Sequence, residues 1–307
     1  MTRVRVALDG LSVGDAFGQR FFTLDAPIRI ASRTPPRGPW RYTDDTEMAL
    51  AIVEVLAQAG RVDQDALARA FARRWDAAPD RGYGSGAHQV LQALCAGEDW
   101  RRAAPGLFSG MGSLGNGGAM RVAPIGAYFA DDLDAVVAEA RASAEVTHAH
   151  PEGQAGAVAA ALAAAYAWQR RGVARAAGGA LLSFVLERTP ASETHAGIAR
   201  ALALPEGTTV QTAARTLGAG ERVTSMDTVP FALWCAAQWL HDYEEALWTT
   251  VSGLGDRDTT CAIVRRRRHR RALRAGDDPR RVARGARAAR LTGTRSPSLA
   301  VYTPRRP

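Results

Sequence analysis

Apolar side chains recur with the period of an α-helix through most of this chain, and no segment shows the alternation of a half-buried β-strand. Met48, Ile52 and Leu56, for example, fall on one helical face. Two alanine-rich stretches, 134–146 and 154–170, favour buried helices, because alanine has the highest helix propensity and lets helices pack closely. The pattern therefore predicts an all-α protein.

Other parts of the chain carry the same periodicity or clear signals for loops. Further helices are predicted at 63–75, 229–240 and 243–251. The glycine-rich segments 82–86 and 110–118 are predicted to be loops, and Gly60 suits the end of the helix that contains Met48. We find no internal repeat and no domain boundary before residue 264.

The chain has 307 residues, enough to bury a large core, and no run of about 18 uncharged apolar residues that would cross a bilayer. Residues 1–9 lack the apolar stretch of a secretory signal. Its three cysteines are scattered and odd in number, which argues against a disulfide framework. We therefore expect a cytoplasmic protein with no membrane partner.

Charge is distributed very unevenly along the chain. Residues 265–307 hold 15 of the 39 basic residues and two of the 31 acidic ones. Residues 1–264 therefore carry 24 basic and 29 acidic side chains, a net charge of −5, although the whole chain is +8. The basic character of the protein is confined to its C-terminal segment.

Two polar runs, Thr-Asp-Asp-Thr at 43–46 and Asp-Arg-Asp-Thr-Thr at 256–260, each place carboxylates beside hydroxyls just before an apolar helical segment. Each run alone is most simply explained by helix capping, because Thr and Asp are favoured at helix N-termini. Brought together, the two runs would supply enough oxygen ligands for hard divalent cations. Two cations side by side could then stabilise a displacement reaction.

Four other segments accompany the two acidic runs in a characteristic order. They are Gly10 to Gly18, Gly82 to Gly86, Gly115 to Arg121 and Thr147 to Pro151. Together the six motifs resemble the ADP-ribosylglycohydrolase family over a stretch from about residue 7 to residue 264. A single one of these motifs is weak evidence, whereas six in order are specific. The resemblance implies the compact multi-helix fold of that family for residues 1–264.

The resemblance also implies a set of metal ligands. These are Thr43, Asp44, Asp45, Asp256, Asp258 and Thr259. They would hold two divalent cations, Mg²⁺ or Mn²⁺, which bind ribose hydroxyls and activate a water near the anomeric carbon. A carboxylate beside that water could act as general base, and Asp45 and Asp258 are both candidates.

The glycine-rich loops are implied to bind the ribose and diphosphate of the ligand. The candidate contacts are Gly84, Ser85, Gly86, Gly115, Asn116, Gly117, Gly118, Met120 and His150. Loops of small residues expose backbone N–H groups that can cradle phosphates, although an Asn-Gly pair also suits a plain turn. For His148 and His150 the i, i+2 spacing favours hydrogen bonding or packing over metal ligation, and Asp15 is expected to be structural.

One departure from the family lies near the first motif. Many members carry a glutamate shortly after the Gly-Asp-Ala turn, where this chain has Phe22, and the next carboxylate is Asp25. If that glutamate is required, the chain uses another group or hydrolyses its ligand poorly.

The second departure is the arginine-rich segment 265–307, where the family continues with an apolar helix. One hypothesis is a frame-shifted reading, since residues 267–271 can be back-translated so that the shifted frame encodes Gly-Gly-Ile-Val-Ala. The other hypothesis is a genuine, disordered basic tail that binds nucleic acid. We favour an ADP-ribosylated protein or small molecule over nucleic acid as the partner of this chain.

The resemblance, together with the two acidic runs, implies a metal-dependent hydrolase that cuts the glycosidic bond between ADP-ribose and an acceptor. The acceptor could be arginine or serine on a protein, or a small ADP-ribosylated molecule. The alternatives are an ADP-ribose-binding protein with little hydrolase activity and a nucleic-acid-binding protein that acts through its tail.

Overall fold

Fifteen α-helices form the regular structure of residues 1–171 and 178–264, which are the residues described by the computed structural model. The first eight are α1 Thr2–Gly18, α2 Ala26–Ala31, α3 Asp44–Ala59, α4 Gln64–Ala77, α5 Ser85–Cys95, α6 Trp100–Gly110, α7 Ala123–Tyr128 and α8 Leu133–Glu145. The others are α9 Pro151–Gln169, α10 Gly178–Leu186, α11 Glu193–Ala203, α12 Val210–Leu217, α13 Ser225–Gln238, α14 Tyr243–Val251 and α15 Arg257–Ile263. Short 3₁₀ turns lie at Gln19–Phe21 and Asn116–Gly118.

The prediction of an all-α fold is confirmed. Within the two described ranges there is no β-strand, and one isolated bridge joins Gly115 to Thr224. The α3 helix ends at Gly60, which adopts the left-handed conformation expected of a helix C-cap. The helix predicted from residue 229 begins four residues earlier, at Ser225, and places Pro230 inside α13 rather than in its first turn.

Helix α9 lies at the centre of the core. Its alanine-rich sequence leaves it apolar on every side, and residues 155–165 are buried without interruption. It packs against α7, α8 and α13. A helix that is apolar all round is stable only when neighbours cover it on all sides, so α9 organises the other helices around itself.

Helices α1 and α15 approach each other more closely than ordinary side chains would permit. A Cβ on Gly14 would lie 2.1 Å from the Cys261 carbonyl oxygen, and a Cβ on Gly18 would lie 2.1 Å from that of Arg257. The two glycines are one helical turn apart, so they present a bare strip on which the α15 backbone lies. Asp15, beside the first glycine, is thereby held next to the N-terminus of α15.

The acidic runs of the sequence open two helices of this core. Residues 43–46 lead into α3 and residues 256–260 into α15, and both helices contact α1. The contact with α1 brings the two runs to one region, about 210 residues apart in sequence. The fold thus assembles one polar site from widely separated segments.

The described residues belong to one compact unit. None of the helices within residues 1–171 and 178–264 combines the length and apolar content that a membrane crossing requires. The arginine-rich segment 265–307, with our predictions of a basic tail and of a frame-shifted reading, lies outside the described residues.

The close contact between α1 and α15 yields a test of the packing. Gly18→Ala would place a methyl group against backbone atoms of Arg257 and Asp258, which cannot rotate away. We expect the free energy of unfolding to fall by roughly 1–3 kcal/mol, the usual cost of overpacking. Urea denaturation measures it.

Gly106→Ala is the matched control, because no atom lies within 4 Å of the added Cβ. This variant should be neutral or slightly stabilising, since alanine is the better helix former. Equal stability of the two variants would contradict the packing argument.

Candidate metal and ligand site

The N-termini of α3 and α15 differ from those of three other helices that begin after an aspartate. Asp63, Asp132 and Asp242 each accept a hydrogen bond from a backbone N–H of their own helix, at α4, α8 and α14. Thr43 and Asp256 occupy the equivalent positions at α3 and α15, yet neither side chain makes such a bond. The side chains of Thr43 and Asp256 therefore do not cap their helices.

Asp15 anchors the first run from beneath. Its carboxylate accepts hydrogen bonds from the backbone N–H of Thr43 at 2.9 Å and from the Thr43 hydroxyl at 2.8 Å. It also accepts from the backbone and hydroxyl of Thr46. Because these donors occupy both carboxylate oxygens, Asp15 orders the start of α3, as a structural aspartate is expected to do.

Three carboxylates converge at this point. Oxygens of Asp15, Asp45 and Asp258 lie within 4.8 Å of one another, and Asp15 and Asp45 are fully buried. Asp45 Oδ1 is buried without a hydrogen-bond partner in the structure. An unpartnered carboxylate oxygen is costly to bury unless a cation or a donor reaches it. The residues present therefore fit a divalent cation with oxygen ligands.

Burial and mutual repulsion oppose ionisation of the cluster. Burial raises the pKa of Asp15 to about 6, and burial with the nearby charge of Asp15 raises that of Asp44 to about 7. The pKa values of Asp45 and Asp258 lie well above the usual range, chiefly because both are buried and then because of neighbouring carboxylates. A bound cation would remove this penalty, since it favours the charged form of each ligand.

The second acidic run is linked to a glycine-rich loop by Asn116. Its side-chain amide donates to Asp256 Oδ2 at 2.7 Å and to the Thr228 hydroxyl at 3.0 Å. Its backbone N–H donates to the Val223 carbonyl. Asn116 thus fixes Asp256 and the loop together, which a plain surface turn would not do.

A cavity of about 640 Å³ opens over the carboxylates, within the usual range for small-molecule sites. Most of the residues predicted from the sequence line it. They are Asp44, Asp45, Asp256, Asp258, Thr259, Gly84, Ser85, Gly86, Gly115, Asn116, Gly117 and Met120. The structure therefore brings both acidic runs and both glycine-rich segments to one cavity, while their roles as ligands remain predictions.

Three predicted residues do not line the cavity among the described residues. The Thr43 hydroxyl points to Asp15 and Asp45. Gly118 packs instead against α9, where an added Cβ would meet the Gly153 carbonyl oxygen at 3.1 Å. His150 caps α9, its Nδ1 accepting from the Glu152 N–H, and is replaced at the cavity by His148.

Other lining residues had no signal strong enough to predict them. Arg121, which the sequence analysis named only as the end of a motif, is completely buried at the base of the cavity. Phe108 and Met111 are large apolar residues that remain 48% and 66% exposed at the cavity. Phe108 has a positive φ of 52°, which a bulky residue rarely adopts and which no sequence pattern announces.

Phe22, which the sequence analysis placed at the position of a family glutamate, lies beside the second acidic run. The Arg257 guanidinium sits 4.9 Å from the centre of its ring. Arg257 separates Asp256 from Asp258 in sequence, so the aromatic ring is a near neighbour of the site. It supplies no carboxylate there.

Comparisons with known proteins agree with this geometry. The profile of the ADP-ribosylglycohydrolase family matches residues 1–264. The human ADP-ribosylhydrolase ARH3 is 43% identical over 185 residues, which cover 55% of this chain and 51% of that protein. ARH3 of Danio rerio is 35% identical over 174 residues, 53% of this chain and 47% of that protein. The chain thus matches about half the length of these curated relatives.

Two longer matches cover most of the chain. An uncharacterized protein of Archaeoglobus fulgidus is 30% identical over 274 residues, 85% of each chain. A solved structure described as an ADP-ribosylglycohydrolase-related protein complex is 24% identical with a TM-score of 0.58, covering 85% of this chain and 84% of that one, and it supports the fold. The family profile, the ordered motifs and the shared fold agree, and the chain belongs to the ADP-ribosylglycohydrolase family.

Proposed function

We propose that this protein is a divalent-cation-dependent hydrolase that cleaves the glycosidic bond between ADP-ribose and an acceptor. The single observation that carries the proposal is that Asp44, Asp45, Asp256 and Asp258 line one cavity together with the glycine-rich segments 84–86 and 115–117. Carboxylates suit hard cations and loops with exposed N–H groups suit phosphates. ADP-ribose has ribose hydroxyls, which can bind the cations, and a diphosphate, which can bind the backbone N–H groups of the loops.

Asp44, Asp45, Asp256 and Asp258 would be the carboxylate ligands, with the hydroxyls of Thr43 and Thr259 beside them. When bound, two cations, Mg²⁺ or Mn²⁺, would supply Lewis acidity that orients ribose hydroxyls and acidifies a water. Asp15 would keep Thr43 in place through its hydrogen bonds.

The chain itself would contribute charge and position to the reaction. Breaking a glycosidic bond passes through an oxocarbenium-like state, which the negative carboxylates of the cavity wall would stabilise. Asp45 or Asp258 would take the proton of the attacking water. Asn116 would hold the diphosphate loop in register with Asp256 through the bonds it makes to both segments.

A second candidate is an ADP-ribose-binding protein with little turnover. Phe22 favours it, because an aromatic ring stands against Arg257 at the place where many family members carry a carboxylate. Binding of ADP-ribose measured by calorimetry, together with a turnover assay, separates the two candidates. Tight binding without turnover would support the second.

Activity should depend on added cation. We expect release of ADP-ribose from ADP-ribosylated arginine or serine peptides in the presence of Mg²⁺ or Mn²⁺, and its loss in EDTA, because the buried carboxylates need a cation to be complete. Chromatography of the released ADP-ribose measures this, and the peptide that is cleaved identifies the acceptor. Undiminished release in EDTA would contradict the metal assignment.

Removing one carboxylate charge should abolish turnover while the protein stays folded. Asp45→Asn and Asp258→Asn each remove a charged ligand, and we expect turnover to fall at least about 100-fold, equivalent to roughly 2.7 kcal/mol of transition-state stabilisation. The near-isosteric change relieves repulsion in the buried cluster, so stability should not fall. Turnover is measured at saturating cation, and folding by circular dichroism.

Asp63→Asn is the matched control for these two variants. Asp63 is also an aspartate at a helix N-terminus, but it caps α4 away from the cavity, and asparagine caps equally well. Its turnover should equal that of the unmodified protein. Normal turnover in Asp45→Asn or Asp258→Asn would defeat the assignment of that carboxylate.

Stability of the cation-free protein should fall as the pH rises from about 4 to about 7. In this window the unfolded chain has released the protons of Asp15 and Asp44, whose ordinary pKa is 3.8, while the folded protein still holds them. Stability declines with pH wherever the folded state binds more protons. Cations reverse the trend, because their ligands must be deprotonated.

Urea denaturation at several pH values, in EDTA and in Mn²⁺, measures this dependence. Asp45→Asn in EDTA serves as the reference, since it has one fewer buried carboxylate and should show a shallower decline. Cation-free stability that is flat or rises over the window would show that the carboxylates are not mutually destabilised.

A further inference from the structure

A buried arginine lies directly beneath the cavity. Arg121 is fully buried, its guanidinium 4.5 Å from the centre of the Phe71 ring. Its Nη2 donates to the Ser143 carbonyl and to the Thr147 hydroxyl, each at 2.8 Å. A buried guanidinium costs much desolvation free energy, so its fixed bonds to a carbonyl and a hydroxyl call for an explanation.

The Thr147 hydroxyl lies between Arg121 and a histidine and contacts both. Thr147 Oγ1 lies 2.7 Å from His148 Nδ1, and both residues are buried. Arginine can only donate, so one lone pair of the hydroxyl oxygen accepts from Arg121. If the second lone pair also accepted from an Nδ1–H, the hydroxyl proton would have no acceptor among the described residues, so we assign that proton to His148 Nδ1. A ring nitrogen that accepts a hydrogen bond carries no proton of its own, so the single proton of the neutral His148 ring resides on Nε2.

His148 Nε2 faces the glycine-rich loop and the cavity. A Cβ on Gly117 would lie 3.1 Å from Nε2, and one on Gly115 would lie 3.4 Å from it. His148 lines the cavity, although only 6% of the residue is exposed. Within the described part of the chain, no hydrogen-bond acceptor for Nε2 is found.

We propose that Arg121 and Thr147 are a positioning pair that holds His148 as a neutral imidazole with its proton on Nε2, ready to donate to an oxygen of the bound ligand. The identity of the ligand rests on the proposed ADP-ribose function, whereas the protonation of the ring does not. A phosphate or ribose oxygen in the cavity would complete the hydrogen bonding of the imidazole.

The electrostatics of the surroundings agree with this geometry. Burial, and then the positive charge of Arg121, lower the pKa of His148 to about 3, so the ring is neutral at physiological pH. Burial lowers the pKa of Arg121 itself only to about 9, so the arginine stays charged there. The donor that faces the cavity is therefore neutral and does not depend on a proton taken up from solvent.

Long-range proton–nitrogen NMR on the ¹⁵N-labelled full-length protein reads the tautomer directly. The spectrum shows which ring nitrogen of each histidine carries the proton, and His148→Gln identifies the signals of His148 by their loss. We expect an unprotonated Nδ1 and a protonated Nε2 in the ligand-free protein. A His148 signal with the proton on Nδ1, or with both nitrogens protonated, would overturn the proposal.

Thr147 variants test the positioning role. Thr147→Val keeps the shape but removes the hydroxyl, so Nδ1 loses its donor and the ring is free to exchange between tautomers. We expect a mixed tautomer signal and an increase of about tenfold in the Kd for ADP-ribose, the effect of one hydrogen bond. Thr147→Ser keeps the hydroxyl and should restore both the pure Nε2–H signal and the affinity.

Thr250→Val is the control for loss of a buried hydroxyl. Thr250 is 1% exposed and donates to the Ala246 carbonyl, away from the cavity. It should lower stability without changing the tautomer or the Kd. If Thr147→Val resembles this control in both readouts, Thr147 only packs and the proposal fails.

The outcomes separate this proposal from the proposed function. A protonated Nε2 in a protein that does not bind ADP-ribose would refute the proposed function and leave the Arg121–Thr147 pair standing, with another ligand for the cavity. ADP-ribose binding with the His148 proton on Nδ1 would refute the Arg121–Thr147 positioning pair and leave the proposed function standing.

Discussion

Repulsion among buried carboxylates is the interaction on which the rest of the structure depends. Asp15, Asp45 and Asp258 would drive α1, α3 and α15 apart if nothing opposed their charges. The fold opposes them with rigid backbone packing and with donors that occupy one carboxylate completely. The chain thereby holds the cluster together at a cost in stability, which is the usual condition of a site arranged for a cation.

The backbone, more than the side chains, sets the geometry of this cluster. Gly14 and Gly18 let the α15 backbone rest on α1, which fixes how near Asp258 comes to Asp15. The hydrogen bonds from Thr43 and Thr46 to Asp15 then fix the first turn of α3 against the same helix. Because neither contact involves a long flexible side chain, the carboxylates are positioned before any ligand arrives.

Much of the fold could be predicted from local pattern, because helical periodicity and glycine stops are local signals. Residues 243–251 were predicted to be helical and form α14 with those bounds. The assignment of His150 to the cavity fails geometrically for a non-local reason. His148 and His150 lie two residues apart in the same motif, and only the packing of α8 and α9 determines which ring faces the loop at Gly117.

Arg121 shows why sequence reasoning stops short of the site's electrostatics. In the sequence it is only the last residue of a glycine-rich motif, yet it is a fully buried cation beside the carboxylate cluster. Arg121 makes no ion pair within 4 Å with a carboxylate of the described residues. Its Nη2 donates instead to the Ser143 carbonyl and the Thr147 hydroxyl.

One fixed positive charge therefore cannot neutralise Asp44, Asp45, Asp256 and Asp258 together. The arginine lowers the pKa of Asp44 somewhat, but burial and Asp15 outweigh it and the pKa remains near 7. The remaining negative charge must be met either by protons, as in the cation-free protein at low pH, or by exchangeable cations. The two kinds of charged group therefore have different roles. Arg121 carries a fixed charge and orients the neutral His148 donor, whereas the carboxylates are neutralised by protons or cations bound from solution.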